Sequence, residues 1–500
     1  MSTRTGFQSP GQAGQAPGGH LTFRPLCASD TAILRRFLYL AIDQNPADAT
    51  YPLPLSVVDT DPHLVAYISN FGQVTAGQAL SHDTGQQAAS DDKGQEASSE
   101  DTAHQGAAGQ FPSNGSRPQD TGTQDSNQQA DCGWLASIDG QPVGAAWTRH
   151  IHGYGFIAGR LPELVMAVEA PYRGQGLGQQ LLTKLMNSLR GQGVEAFSAS
   201  VQRTNPARAF YRTQGFREIT VRDTDVLLVR DLVDMPAPAQ ALPDMTFGPW
   251  ELIPIQQIAN RVDQRCRQQT VARQQPNNTP GALGMHSSRS IVLIDGSGGS
   301  GKSTFAKALA AHLPDAAVLH TDDIAWWLDP IDWVEPMMEG VIRPWLSGQD
   351  VSYRPPGWIA RGRQGQVTAS GGQDAVLVIE GVGAVRDALL PYAAYSVWVY
   401  TPGLLAAERI LARDIGTDGG SRAEVAAFQP GWMDREVPFH LEQKPWDRAD
   451  LIVDGQYENA AADAPPAAAK EMAKATAGAV DRAVVKVVNR AVDRMTFGAR

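Results

Sequence analysis

Apolar residues come in short uninterrupted runs, separated by stretches rich in glycine, proline and glutamine. Leu164–Glu169 (LVMAVE) reads as a strand, and behind it Leu181, Leu182, Leu185 and Leu189 recur at helical spacing over Gln179–Leu189. Another strand is predicted around Glu195–Val201. In the second half, Ile291–Ile294 is a continuously apolar run of the kind buried in parallel sheets, with a helix predicted over Thr304–Leu313. Ala317–His320, Ala375–Ile379, Val397–Tyr400 and Leu451–Val453 supply four more strands. Alternating strands and helices of this kind predict an α/β protein.

The breaks in the pattern divide the chain. Met1–His20 holds no apolar stretch and reads as a disordered N-terminus. Gln73–Ala130 contains only Val74, Leu80 and Phe111 as large apolar residues, and its Gly-Gln steps cannot bury enough surface to offset the entropy of ordering. It reads as a disordered insertion within one domain spanning 21–232, or as a linker between two. The prolines of 233–246 mark an interdomain linker, and a second domain follows over 247–458. Within it Gln268–Ser290 is predicted to loop out. After a break at Ala460–Pro466, an Ala-rich C-terminal helix is expected over Ala467–Met495, inside the terminal segment 459–500.

Composition narrows the class. With 53 acidic and 42 basic residues the net charge is −11, unsuited to binding nucleic acid or an anionic membrane. Three separated cysteines make neither a disulfide framework nor a zinc site. No apolar run approaches the ~18 residues of a membrane span, and the N-terminus lacks the apolar core of a secretory signal. A cytoplasmic location, with small-molecule acceptors as partners, is expected.

The first candidate site follows the strand that ends at Val168. Arg173-Gly174-Gln175-Gly176-Leu177-Gly178 forms a glycine-rich turn at a helix start, where unpaired N–H groups and the helix dipole suit a pyrophosphate. Downstream lie Asn205, Tyr211 and Gly215-Phe216. Together these residues resemble the GNAT superfamily of N-acetyltransferases, which implies a mixed α+β sheet. The resemblance implies acetyl-CoA along Val168, Arg173, Gly174, Gln175, Gly176, Leu177, Gly178 and Asn205. It also implies Tyr211 as the acid that protonates the leaving thiolate. Glu163 is a candidate base for an amine acceptor, directly or through water.

The second candidate site is Gly296-Ser297-Gly298-Gly299-Ser300-Gly301-Lys302-Ser303, running into Thr304, a G-x-x-x-x-G-K-S sequence between a strand and a helix. In that setting backbone N–H groups hold the β-phosphate of ATP, Lys302 bridges the β- and γ-phosphates, and Ser303 ligates Mg²⁺. Asp322-Asp323 follow the next strand and Glu380-Gly381 the one after. The set resembles the uridine kinase group of P-loop kinases. That resemblance implies a hydroxyl-activating base at Asp322, or at Asp323 if the register shifts by one. It also implies Glu380 on Mg²⁺ through water, and Arg409 and Arg413 on the transferred phosphoryl group. Ile324-Ala325 intervene before Trp326-Trp327, so the family's nucleoside contacts do not transfer. Tyr353–Trp358 is a candidate acceptor wall.

The expectation is therefore a bifunctional transferase: acetyl transfer to an amine, and ATP-dependent phosphorylation of a nucleoside-like hydroxyl. The alternative is a sensor of acyl-CoA and nucleotide in which one or both sites do not turn over.

Overall fold

A computed structural model describes residues 19–42, 53–73, 131–158, 161–236, 240–274, 287–325, 327–418, 420–456 and 484–489. All of the insertion 73–130 except Gln73, the N-terminal 1–18 and most of 459–500 lie outside the described residues, as does Trp326.

The inner strands of the first sheet are buried along most of their length, because helices cover both faces. Strands β1 (Leu21–Pro25), β2 (Cys132–Ile138), β3 (Gln141–Arg149), β4 (Glu163–Val168), β5 (Ala196–Gln202), β6 (Arg217–Val221) and β7 (Asp225–Asp231) lie in the order β1-β2-β3-β4-β5-β7-β6. All pairs are antiparallel except β4–β5. That parallel pair is joined at one position, Glu163 opposite Ser198, so the two strands part toward their C-terminal ends. Helix α1 (Thr31–Ala41) covers one face with Leu34, Phe37 and Leu38, beside the short α2 (Pro62–Ala66). The other face is covered by α3 (Leu177–Gly191), whose Leu181, Leu182, Leu185 and Leu189 point inward as their spacing predicts, and by α4 (Ala207–Thr213).

The centre of the second sheet is built from hydrophobic runs buried on both faces. It combines β8 (Glu251–Pro254), β9 (Ser290–Asp295), β10 (Ala316–His320), β13 (Val376–Glu380), β14 (Tyr395–Tyr400), β15 (Leu451–Asp454) and β16 (Val484–Asn489); β11 (Val351–Tyr353) and β12 (Val367–Ala369) form a separate small pair. The order is β10-β13-β9-β14-β15-β16-β8, with the first five parallel. Helices α5 (Ile255–Gln274) and α6 (Lys302–Ala310) pack one face, and Trp333, Trp345 and Trp358 fill the other. Beyond α7 (Thr321–Ala325), the long helices α8 (Gly403–Asp418) and α9 (Arg422–Gln443) form a hairpin beside it.

Two sequence expectations are corrected. The predicted C-terminal helix gives way, over its described part, to strand β16, antiparallel to both β15 and β8. Val485 and Val487 are buried on one side of it, because the β15 edge offers hydrogen bonds that reward an alternating β-branched run more than a helix would. The predicted loop from Gln268 begins instead as the last turns of α5. There Thr270 and Arg273 reach the Ser288 and Arg289 carbonyls, while 275–286 lie outside the described residues. No described helix is long and apolar enough to cross a membrane.

Candidate functional site

The gap between β4 and β5 organises the first site. Past β4 the chain turns through Gly174 and Gly176, which take φ of 72° and 79°, a left-handed conformation that glycine adopts without strain. A Cβ on either would meet nothing within 4 Å, so the turn presents open backbone to solvent. Gly176 is also the N-cap of α3, with no side chain capping it, leaving the first amides of a fifteen-residue helix available to an anion. Arg173 braces the turn by donating to the Val168 carbonyl at 2.8 Å, and Gln175 donates to Pro171 at 2.8 Å. The turn thus fits a pyrophosphate through its backbone.

From the far side, α4 brings Phe210 to 3.7 Å from where a Cβ of Gly178 would lie. Asn205 spends its Oδ1 on the Ala207 amide at 2.8 Å, holding the start of α4. Tyr211 is buried between Phe210 and Phe216, with ring centroids 5.6 and 5.0 Å away. Burial pushes its phenol up to about 12, so it remains a proton donor at any physiological pH.

Glu163 sits at the apex where β4 and β5 meet and is wholly buried. Its Oε1 accepts from the Gly153 amide at 2.8 Å; its Oε2 accepts from the Gly155 amide at 2.8 Å and from the Tyr67 hydroxyl at 2.5 Å. Burial raises its pKa despite these donors, and the same burial, with Glu163 alongside, holds the Tyr67 phenol well above its ordinary value. With both oxygens engaged, Glu163 reaches a substrate proton only through intervening water or through Tyr67. Sequence reasoning missed Tyr67 and the Gly153–Gly155 turn, since neither carries a motif. The exposed Tyr154 on that turn donates to Asp61 at 2.9 Å and lies against the His63 ring.

In the second sheet the loop Gly296–Ser303 leaves β9 and enters α6 at an N-cap, Gly301, that likewise has no side-chain cap. Gly299 takes φ of 73°, and a Cβ there would lie 2.2 Å from the Ala406 carbonyl, so glycine is required twice over. Asp295 accepts from the amides of Gly296, Gly383 and Val385 at 2.7 to 3.0 Å, tying the loop to the end of β13.

Glu380 ends β13 beside the loop. Burial works to raise its pKa, but contacts with His320 and Ser303 and the charge of Lys302 bring it below the ordinary value. Its Oε2 is buried without a hydrogen-bond partner. An orphaned carboxylate oxygen next to the Ser303 hydroxyl fits a hydrated divalent cation. His320, missed by sequence reasoning, donates to Glu380 and is raised by it and by the nearby Asp323 and Asp322. The acidic pair belongs to the first turn of α7 rather than to the strand's edge, with Asp322 exposed and Asp323 half-buried.

Arg409 donates to the Gly455 carbonyl at 2.9 Å, close behind Ser300, whereas the exposed Arg413 pairs with its neighbour Asp414 at 2.7 Å. Arg409 is thereby held beside the loop. Trp358 lies in the core, under the Arg363 guanidinium at 3.5 Å. A pocket beside the loop is lined by Leu242, Ser297, Gly298, Ala406, Met433 and Glu436.

Residues 102–216 match the acetyltransferase (GNAT) family. No curated protein matches the chain. Three of the solved structures to which the chain is similar are acetyltransferases. The protein yncA from Salmonella typhimurium, determined with its cofactor acetyl-CoA, is 21% identical over 21% of this chain and 68% of its own, with a TM-score of 0.18. The ribosomal-protein-S18-alanine N-acetyltransferase from Escherichia coli is 24% identical over 22% and 76%, at 0.19. A ribosomal-protein-alanine N-acetyltransferase from Brucella melitensis is 27% identical over 20% and 68%, at 0.18.

Proposed function

We propose that this chain is a bifunctional transferase, acetylating an amine from acetyl-CoA in its first half and phosphorylating a small-molecule hydroxyl from ATP in its second. The family match over 102–216 supports the first activity. The observation that carries it is the parted β4–β5 pair, with an open glycine turn and uncapped helix on one side and a protonated, buried phenol on the other.

The backbone amides of Gly174–Gly178 would hold the pyrophosphate of acetyl-CoA. Tyr211 would then give its proton to the departing sulfur; a phenol's ordinary proton affinity is near a thiol's, and burial, which raises this one to about 12, keeps the proton on the phenol until the sulfur departs. Glu163 would receive the amine's proton relayed by water or through Tyr67. Its raised pKa makes it a stronger base than an exposed glutamate once ionised.

For the second activity the support is the loop's sequence and its placement beside an orphaned carboxylate oxygen. Gly296–Thr304 would cradle the ATP phosphates, Lys302 would neutralise the β- and γ-phosphates, and Ser303 with Glu380 would hold Mg²⁺ through water. Bound there, the cation would supply charge stabilisation for the transferred phosphoryl group. Asp322 or Asp323 would accept the proton of the acceptor hydroxyl, and Arg409 would neutralise the moving charge.

The test uses the full chain against a panel of amines and hydroxyl metabolites, following free-thiol release from acetyl-CoA and ADP formation from ATP. Thiol release that disappears in Tyr211→Phe, and ADP formation that disappears in Lys302→Ala, are the expected results. Tight binding of both donors with turnover of neither would favour the sensor instead.

A further inference from the structure

Two arginines and two carboxylates close a ring between the two sheets. Arg422, at the start of α9, donates through Nε to Asp231 of β7 at 2.9 Å and through Nη2 to Glu408 of α8. Arg217 of β6 donates to the other oxygen of each, to Asp231 at 2.9 Å and to Glu408 at 2.8 Å. The Arg422 backbone amide also donates to Glu195 at 2.7 Å. The Arg422 side chain is only 2% exposed, that of Glu408 4% and that of Asp231 10%. Charges so buried persist only when paired, and here each carboxylate is held by both guanidinium groups. Leu405 of α8 is packed into the same face among Ile157, Leu161, Ile219 and Val229 of the first half.

The opposite side of the α8–α9 hairpin bears on the glycine loop. Ala406 and Ile410 of α8 lie where a Cβ of Gly299 would fall, 2.2 and 3.1 Å away, and Arg409 holds Gly455 against Ser300. Glu436 of α9, wholly buried, accepts from the Gly298 amide at 3.1 Å and from Trp432 at 3.2 Å. One turn on, His440 lies 3.4 Å from Asp295, the residue that ties the loop to β13. The hairpin thus has one side clamped on the first sheet and the other supporting the loop.

We propose that Arg422, Glu408 and Asp231 are positioning residues for the phosphate site: the first half of the chain, acting through the α8–α9 hairpin, sets the conformation of loop Gly296–Ser303. The nucleotide part of this inference rests on the reading of that loop as an ATP site; the conformational part does not. The closing experiment separates them by measuring amide exchange across 296–303 and, independently, Mg·ATP affinity by calorimetry in the full chain.

Two variants open the ring. Arg422→Gln leaves two carboxylates to one arginine, and the pair Arg422→Gln with Glu408→Gln opens it without excess charge, which decides the matter if the single variant fails to fold. The expected result is about tenfold faster exchange confined to 296–303 and about tenfold weaker Mg·ATP binding, with partial recovery in Arg422→Lys. Acetyl-CoA affinity and exchange at 173–178 stay unchanged. Loop exchange equal to that of the parent chain in a folded variant overturns the proposal, as does exchange raised evenly across both sheets, which is the signature of lost stability alone. A parent chain that binds no Mg·ATP refutes the nucleotide reading, and the exchange comparison still decides the positioning role.

Discussion

At the scale of single residues, environment rather than identity assigns the roles. Tyr211 is packed on Phe210 and Phe216, so Tyr211→Phe keeps the ring contacts and removes only the proton-donating hydroxyl. We expect acetyl-transfer kcat to fall by roughly two orders of magnitude or more, with acetyl-CoA affinity within twofold in calorimetry. Because burial sets the phenol at about 12, the parent enzyme's rate should show no alkaline decline from this group below pH ~10.

The acidic pair of α7 calls for a side-by-side assay. Asp322→Asn and Asp323→Asn should differ, the one that carries the base losing roughly two to four orders of magnitude in phosphoryl-transfer kcat while ATP affinity holds. If both keep full turnover, the base lies elsewhere.

Asp30 provides a stability test. Its carboxylate is bound by both Nη atoms of Arg24, at 2.6 and 2.7 Å, and by the Cys27 amide at 2.9 Å. The Arg24 pairing, aided by that amide and opposed by burial, lowers its pKa to about 2. A depressed acid stabilises the fold above its unfolded pKa and loses that contribution as pH falls through the folded one. Asp30→Asn should therefore cost about 1 kcal/mol in melting experiments at pH 7, since half-exposed Arg24 is screened, and the difference should vanish toward pH 2.

At the scale of elements, both candidate anion sites are strand-turn-helix joints whose first helical amides have no side-chain cap. They differ in what surrounds the glycines. Around Gly176 there is open space, so Gly176→Val should leave the fold intact apart from local strain at positive φ, yet abolish acetyl-CoA binding while ATP binding survives. Calorimetry with each donor checks this, and an unchanged acetyl-CoA affinity would remove the turn from the site. Around Gly299 the space is taken by α8, so the second loop is shaped by tertiary contacts as well as by its own sequence.

For the whole molecule, the last described strand joins β8 to the rest of the second sheet. β16 lies between β15 and β8, with Val485 and Val487 fully buried. Ending the chain at Ala483 would expose those contacts and two strand edges at once. Burial of two valines corresponds to roughly 3–6 kcal/mol, a large share of a typical domain's stability, and unpaired edges invite aggregation. The shortened chain should melt markedly lower and associate in light scattering, with the first sheet the more resistant half.

What the sequence by itself determined was local: strands β4 and β5 of the first sheet, the five parallel strands of the second, the helices α3 and α6, and the two glycine-rich joints, each written within about a dozen consecutive residues. The spacing of Leu181, Leu182, Leu185 and Leu189 specifies a helix and its inward face without help from distant residues, whereas the order Gly-x-x-x-x-Gly-Lys-Ser marks the second joint but leaves part of its shape to the contacts of α8 and α9. Where two local readings competed, as in the valine-rich segment around 484–489, the partner strand chose between them. The contacts that complete the sites span long separations: Tyr67 on Glu163 at 96 residues, Glu436 on Gly298 at 138, Arg422 on Asp231 at 191. None of these pairs carries a spacing rule, because each depends on how whole elements pack. Only the tertiary structure decided that Glu163 is a buried, fully hydrogen-bonded carboxylate and that one helical hairpin serves both halves. The reason is that burial and pairing of charge are properties of packed surfaces, while a motif records only the neighbours along the chain.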